Sequence, residues 1–364
     1  MGKGTQASAM VGGRGSNSYF HNSTYQKSRM LTVADIINQA IQEKLDIPIR
    51  AGTIRIADIG CSVGPNTLYA MQSVVDAISS KLKRIAGDHG ETPEFQVFFN
   101  DQIGNDFNLL FGSFPADRPY LVAAVPGSFH SRLFARSSID YVNSSLALHW
   151  MSGAPDGVAN KGRVHICGGG QNVLNAYSSR FRCDMERFLG ARAEEIVPGG
   201  LMVLQFLCRP EWMAPDAARH DLWFALLEPV LQDLVFEGKV KEEELDTFQI
   251  PIYAPAMAEF KEAVESNGCF TIEVARELLH QRWGLSGAGD EGCEVDLQQL
   301  ARSVAEASRA VFENIIGRHF GEEIVEEIFT RFPSKIYHHF ASLPHRPSPP
   351  PTAFFVLRRK PPPS

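Results

Sequence analysis

The glycine turn at Gly60-Cys-Ser-Val-Gly64 lacks the G-x-G-x-x-G fingerprint and the closing Lys-Ser or Lys-Thr of a phosphate loop. Neither a dinucleotide pyrophosphate nor a nucleoside triphosphate therefore finds its usual cradle there. The six cysteines, Cys61, Cys167, Cys183, Cys208, Cys269 and Cys293, form no C-x-x-C pair and no regular spacing. This argues against a disulfide framework or a zinc site and fits a reducing compartment. No apolar run reaches the roughly 20 residues of a membrane-spanning helix. Met1-Gly-Lys-Gly-Thr-Gln6 lacks the apolar core of a signal peptide, and it holds Gln where N-myristoylation calls for Ser or Thr. Positive charge is not in excess, since the net charge is −7, so there is no electrostatic footprint for nucleic acid. The expectation is a soluble cytoplasmic protein with neither membrane nor nucleic-acid partner.

What is present is a chain of 364 residues with 44% hydrophobic content, enough for a large core and more than one simple domain needs. Apolar runs predict strands at residues 54–59, 95–99, 120–125, 142–148, 163–167 and 201–207. Helical spacing predicts helices over 32–44, 66–84 and 173–196. Strands alternating with helices imply an α/β fold, a doubly wound and mostly parallel sheet with helices on both faces. After Arg209 the pattern turns helical, over 216–235 and 295–330, with acidic runs such as Glu242-Glu-Glu-Glu-Leu-Asp246 that read as solvated faces. A helix at 260–267 and strands at 270–273 and 354–357 return to the sheet. The domain reading is a mobile N-terminus (1–16), an α/β core (17–210, 256–280 and 352–360) and a helical cap (211–255 and 281–345).

Ile54-Arg-Ile-Ala-Asp-Ile-Gly-Cys-Ser-Val-Gly-Pro-Asn-Thr67 carries the clearest chemical signal. An alternating strand delivers Asp58 to a turn with Gly60 and Gly64, and Pro65 suits the first position of a helix. D-x-G-C-x-x-G suits an adenosine-containing cofactor without a pyrophosphate, although a bare structural turn would use the same residues. The next strand ends in Asn100-Asp101, and parallel strands would bring both acids to one crevice. Asp101 could equally cap a turn. Val125-Pro-Gly-Ser-Phe-His130 offers a hydroxyl at Ser128 and an aromatic face at Phe129. Ser144-Ser-Leu-Ala-Leu-His-Trp150 ends a strand with an imidazole and an indole N–H, a pair that can also serve packing or capping.

Taken in order, these blocks resemble the plant SABATH methyltransferases. The match begins at Gly12-Gly-Arg-Gly-Ser-Asn-Ser-Tyr-Phe-His-Asn-Ser-Thr-Tyr-Gln26 and runs through residues 58–66, Asn100-Asp101, Gly104-Asn-Asp-Phe107, residues 125–129 and Arg132-Leu-Phe134. It continues through residues 144–150, Asn160-Lys-Gly162, Val197-Pro-Gly-Gly200, Arg309-Ala-Val-Phe-Glu313 and His319-Phe-Gly321. The resemblance implies a Rossmann-like methyltransferase sheet, a helical cap over the active site, a homodimer, and S-adenosyl-L-methionine as methyl donor. By motif, Tyr19, Ser23, Asp58, Gly60, Asn66, Asp101, Gln102, Ser128 and Phe129 would hold the donor. Gln26, His149, Trp150, Trp223, Ser308, Val311 and Phe354 would face the acceptor. Some relatives carry Mg2+, which here would map to Asn160, Asp246, the backbone of Phe248, and Gln249, where Asn is expected.

Other departures are Gln102 in place of an apolar residue, Leu146 where Tyr is common, and Ser308 where a larger side chain can line the pocket. A small carboxylic acid is the implied acceptor, of the cinnamate, benzoate or salicylate type, with indole-3-acetate, jasmonate and xanthine-nitrogen methylation as alternatives. A non-catalytic binding module is the outside reading. A carboxylic acid with a pKa of about 4 to 5 arrives ionised, so no residue is needed as general base. Gln26 and Trp150 can instead orient the carboxylate through N–H donors, and two such donors favour an acid over a xanthine.

Overall fold

The computed structural model describes residues 8–46, 52–86, 93–158, 160–214, 223–280, 296–343 and 348–361. The chain begins with α1 (Thr24–Leu31) and α2 (Ala34–Lys44), followed by β1 (Thr53–Ile59) and α3 (Pro65–Ala86). Pro65 opens α3, where its missing N–H is no loss. Next come β2 (Glu94–Asp101), α4 (Phe107–Phe111), β3 (Leu121–Pro126), β4 (Ile139–Ser145), α5 (Gly170–Glu195) and β5 (Ile196–Leu207). A 3-10 turn at Trp223–Leu226 leads to α6 (Leu227–Phe236) and α7 (Glu242–Thr247). The chain then returns to the sheet through α8 (Met257–Asn267) and β6 (Phe270–Leu278). It leaves again as α9 (Leu297–Phe320) and α10 (Glu322–Ser342), and ends in β7 (Thr352–Arg359).

The seven strands run β3-β2-β1-β4-β5-β7-β6. Strands β1 to β5 are mutually parallel, and β7 enters antiparallel between β5 and β6. Order reverses at β1, between β2 and β4, which puts the ligand crevice of such a sheet at the carboxyl ends of these strands. One sheet face packs Ile56, Val97, Tyr141 and Val203 against α2 and α3. The other packs Val142, Met202 and Phe355 against Tyr177, Phe188 and Phe260 of α5 and α8. A third apolar cluster joins α6, α7, α9 and α10, with Trp150 and Val164 at its border. Among the described residues no helix is long and apolar enough to cross a membrane.

Three expectations are corrected. Residues 163–167 do not form a strand. Val164, Ile166 and Cys167 are buried, but the segment is a run of turns between Gly162 and Gly168, both at positive φ. Its apolar run packs without pairing, an ambiguity that short runs carry. The helix expected over 295–330 is two helices, because Gly321 at φ 96 turns the chain between α9 and α10. The N-terminus is tied down from residue 8 rather than loose. Ser8 and Ala9 are buried, Val11 N–H donates to Ala310 O at 2.9 Å, and Asn314 Nδ2 donates to Ala9 O at 2.9 Å.

An ion pair buried against the sheet holds the β3–β4 connection. Arg192 lies 2.7 Å from Glu195, both fully buried, and donates to Phe129 O at 2.9 Å and Ser131 O at 3.0 Å. Glu195 Oε1 accepts from Leu133 N–H at 2.5 Å and Phe134 N–H at 3.0 Å. Every charged atom of the pair is thereby engaged, the condition under which such a pair is tolerated in a core. Arg192→Met would strand a buried carboxylate, and a loss of about 3–5 kcal/mol in unfolding free energy is expected. Urea denaturation measures it, and a change below about 1 kcal/mol would mean that the pair does not hold this connection.

Candidate functional site

The crevice is built where β1, β2 and β4 end. Gly60 follows β1 at φ 75, and a Cβ there would come within 2.3 Å of Ala147 Cβ, so only glycine fits. Its N–H and that of Cys61 donate to Asn100 O at 2.9 and 3.0 Å, closing the β1 turn onto β2. Ser62 and Leu146 stand at φ 51 and 57, strained values for residues with a Cβ, and both border the crevice region.

Asp58 is buried beneath this turn, with Oδ1 accepting from Asn143 Nδ2 at 2.7 Å and Oδ2 from the Thr67 hydroxyl. Burial pushes its carboxyl up to about 6 against these two bonds. Asp101 is half-buried at the end of β2. Its oxygens accept backbone N–H groups from Ser62 and Gln102, each at 2.7 Å. Burial raises it to about 6 as well. A carboxylate has about four acceptor sites, so both acids keep capacity for a ligand. The Ser62 hydroxyl is buried without a hydrogen-bond partner beside Asp101.

Other expected donor residues gather around these acids. The Tyr19 phenol is buried, and Asp101, Cys61 and Asp58 reinforce burial in raising its pKa well above the usual range, so it stays a neutral donor. Asn66 Nδ2 donates to both the carbonyl and the hydroxyl of Ser23 at 3.0 Å, tying the start of α3 to the segment before α1. Ser128 is half-buried in the β3–β4 connection, and Phe129 is buried edge-on against Phe188 at 6.2 Å.

A cavity of 1050 Å³ opens beside the crevice and is lined by Gln26 of α1, by His149 and Trp150 after β4, and by Ser308, Val311 and Phe312 of α9. Tyr19 and Leu146 also reach it, so it adjoins the donor residues. The Gln26 amide oxygen is buried without a partner. His149 Nδ1 accepts from Leu207 N–H at 3.4 Å, and burial lowers the imidazole to about 3. With Nδ1 accepting, the neutral ring carries its proton on Nε2 as a donor. Trp150 packs against Phe312 at 5.9 Å, and its indole N–H meets no acceptor among the described residues. The Ser308 hydroxyl donates to Val304 O at 2.7 Å, so the position offers room more than polarity.

Two expected acceptor residues are not placed at this cavity. Phe354 is fully buried within β7, opposite Gln205 and Arg276, and packs in the α2–α3 side of the core. The family motif puts Phe354 at the acceptor, whereas the strand that holds it is buried on both faces and packs the ring into the core. The Trp223 side chain lies outside the described residues.

The proposed magnesium set does come together, but its oxygens face hydrogen-bond donors. Gln249 Nε2 donates to Arg163 O at 2.6 Å and Phe248 O at 2.8 Å. Gln249 Oε1 accepts from Asn160 Nδ2 at 2.9 Å and Tyr177 Oη at 3.1 Å. Asp246 accepts from Gly162 N–H at 2.5 Å, and Asn160 Oδ1 alone is buried without a partner. The longer Gln249 places an amide N–H among carbonyls where a cation would sit. These residues do not fit Mg2+, which demands about six oxygens in near-octahedral array.

Sequence reasoning missed Thr67, which closes the Asp58 motif itself, and Asn143 and Arg192–Glu195, which lie outside any ligand-type motif. It also missed Arg29, one turn beyond Gln26 on α1 and on the wall of the same cavity. Its i, i+3 spacing from Gln26 was the available signal.

Comparison with known proteins matches residues 5–360 to the family model described as SAM dependent carboxyl methyltransferase. Loganic acid O-methyltransferase of Catharanthus roseus is 38% identical, over 98% of this chain and 95% of that one. Salicylate carboxymethyltransferase of Clarkia breweri is 37% identical, over 89% and 90%. A solved structure of loganic acid methyltransferase with SAH superposes with a TM-score of 0.85 at 38% identity, covering 97% of this chain and 99% of that one.

If Gln249 takes the cation's place, EDTA treatment followed by millimolar Mg2+ should leave the melting temperature of the protein unchanged. A rise of several degrees on adding Mg2+, abolished in Asp246→Ala, would show that the set binds the ion after all.

Proposed function

The chain belongs to the S-adenosyl-L-methionine-dependent carboxyl methyltransferases, the plant SABATH family, and from that premise we propose that it forms the methyl ester of a small acid held in the 1050 Å³ cavity. The observation that carries this reading is that Gln26, His149 and Trp150 line one cavity, with the His149 imidazole held neutral by burial. The Asp101 oxygens would take the hydroxyls of the donor's ribose, and Asp58 and Asn66 would face its amino-acid end. Tyr19, Ser128 and Phe129 would complete that wall. Bound there, S-adenosyl-L-methionine supplies a methyl group already activated by its positively charged sulfur.

The protein's own task is then orientation. An acceptor carboxylate with a pKa of about 4 to 5 is ionised at neutral pH, so no proton need be removed. Gln26 and Trp150 hold one end of it and leave an oxygen directed at the donor side. Fixing such a geometry can supply several kcal/mol of the barrier. His149 contributes Nε2–H and stays neutral. Trp150, Phe312 and Val311 favour a flat apolar body, as in acids of the cinnamate, benzoate or salicylate type, and Ser308 leaves length for the cinnamate end of that range. The reading includes a helical cap over the site and a cytoplasmic homodimer, as the family resemblance implies.

Labelled donor with a panel of aromatic and aliphatic acids should yield methyl ester. At saturating donor the rate should follow acceptor ionisation, level off above about pH 6, and show no ionisation near 6.5. Gln26→Ala and Trp150→Phe should each lower kcat/KM by roughly 10- to 100-fold, the loss of a hydrogen bond to a charged group. His149→Gln, which keeps an N–H donor, should cost less than either. A rate that rises with a pKa near 6.5 and vanishes in His149→Gln would make His149 a base and the acceptor a protonated group.

Donor affinity should also depend on pH. Asp58 and Asp101 have carboxyl pKa values raised to about 6 in the free protein, so both begin to protonate as pH falls through 6. A cationic donor with hydroxyls to bind favours the ionised forms, so its affinity should drop by about tenfold per pH unit for each proton below 6 and be flat above 7. Calorimetry from pH 5 to 8 reads this directly, and constant affinity across the range would remove both acids from the donor site.

A further inference from the structure

We infer that Arg29 is a second anion anchor in the acceptor cavity, and that the acceptor carries a second anionic group, a dicarboxylic acid being the simplest case. The inference rests on the carboxyl-methylation reading and names the substrate class of the same site. Arg29 lies in the last turn of α1, three residues after Gln26, and lines the same cavity. One helical turn sets their backbones about 4.5 Å apart along the axis, so the two side chains can grip separate groups of one ligand.

Among the described residues the guanidinium meets no acid. Its Nε is buried without a hydrogen-bond partner, and no carboxylate among the described residues lies within ion-pair distance. It stacks over the Tyr25 ring, 5.0 Å from centroid to guanidinium carbon. The hydrogen bonds at this residue, from the Thr32 hydroxyl at 2.7 Å and Gln205 Nε2 at 3.2 Å, go to its backbone carbonyl. Elsewhere the chain matches sheltered guanidinium groups to acids: Arg192 to Glu195, Arg209 to Glu259, and Arg309 to Glu313 and Glu326. Glu306, also on the cavity wall, is exposed and forms no pair with Arg29.

The opposite wall is no more acidic. His280 donates to or accepts from Thr352 Oγ1 at 2.9 Å, and burial together with the charge of Arg29 lowers its imidazole to about 4, so it is neutral. An arginine stays charged under such conditions, and a half-buried cation without a counter-ion is costly unless a ligand supplies one. A planar fork of N–H donors suits a carboxylate, or another anionic oxygen group, two bonds at a time.

Kinetics on matched pairs tests this: α,ω-dicarboxylic acids against monoacids of equal length, and 4-carboxycinnamate against cinnamate, with the wild type and with Arg29→Met, Arg29→Gln and Arg29→Lys. The wild type should show a KM at least tenfold lower for the best diacid than for its monoacid. Arg29→Met and Arg29→Gln should erase that ratio, raising KM for the diacid at least tenfold more than for the monoacid, and Arg29→Lys should restore part of it. Calorimetric donor binding in each variant reports whether the site is folded. Esters formed from monoacids without any diacid preference, or equal losses on both members of a pair, overturn this inference and leave carboxyl methylation standing. No ester from any acid overturns both.

Discussion

A carboxylate buried at the end of the central strand governs how the crevice is put together. Asp58 belongs to β1, Asn143 to the parallel neighbour β4, and Thr67 to the first turn of α3, and the acid binds both partners at once. Burial opposes its charge, and the two hydrogen bonds offset that penalty only when all three elements are seated. The same turn then passes through Gly60 to the Asn100 carbonyl, and Asp101 gathers the N–H groups of Ser62 and Gln102. The acids proposed to face the donor are therefore cross-ties of the fold itself. Their geometry is set before any ligand arrives, which is the preorganisation that a reaction carried by alignment requires.

Much of this was legible in the chain because local chemistry and position coincide there. The alternating strand, its terminal acid, the glycine turn and Pro65 occupy one continuous stretch, so the parallel sheet and the crevice at its strand ends could be read from it. The cavity proposed for the acceptor could be read only in part. Gln26, His149 and Trp150 stand at ends of elements that sequence places well, whereas Arg29 looks like any basic residue in a helix's last turn. Its meaning lies in the absence of an acid near it among the described residues, and that is a property of three dimensions. Phe354, expected at the acceptor from the family motif alone, sits in a strand buried on both faces, which gives no local sign of which side a residue serves. Residues 163–167 are apolar and buried yet unpaired, because two flanking glycines bend the chain away from any ladder.

The proposed donor and acceptor functions fall on different parts of the architecture. The residues proposed to hold the donor cluster on strand ends and the turns after them, where backbone hydrogen bonds leave little freedom. The acceptor wall is shared between α1, the segment after β4 and one side of α9, whose other side packs against α10 in a separate apolar cluster. Residues such as Ser308 and Val311 can therefore change size with local consequences for the cavity while the sheet remains as it is. Arg192 and Glu195 act on the boundary between these parts, since they fix the connection that carries Ser128 and Phe129 from within the core.

Strand β7 lies between β5 and β6, although it follows both in the chain. During synthesis, β5 and β6 emerge with an open slot between them, and the sheet can close only when residues 352–359 leave the ribosome. The segment around Ala9 waits longer, because the Asn314 amide that donates to its carbonyl comes 305 residues later. Chains grow at about 5–20 residues per second, so exposed strand edges must persist for many seconds in the nascent protein. Such edges invite pairing with other chains. Nascent-chain quality control, more than the stability of the finished molecule, should thus govern how much of this protein a cell accumulates, and truncations that spare every residue of the site but remove β7 should be cleared before they can bind anything.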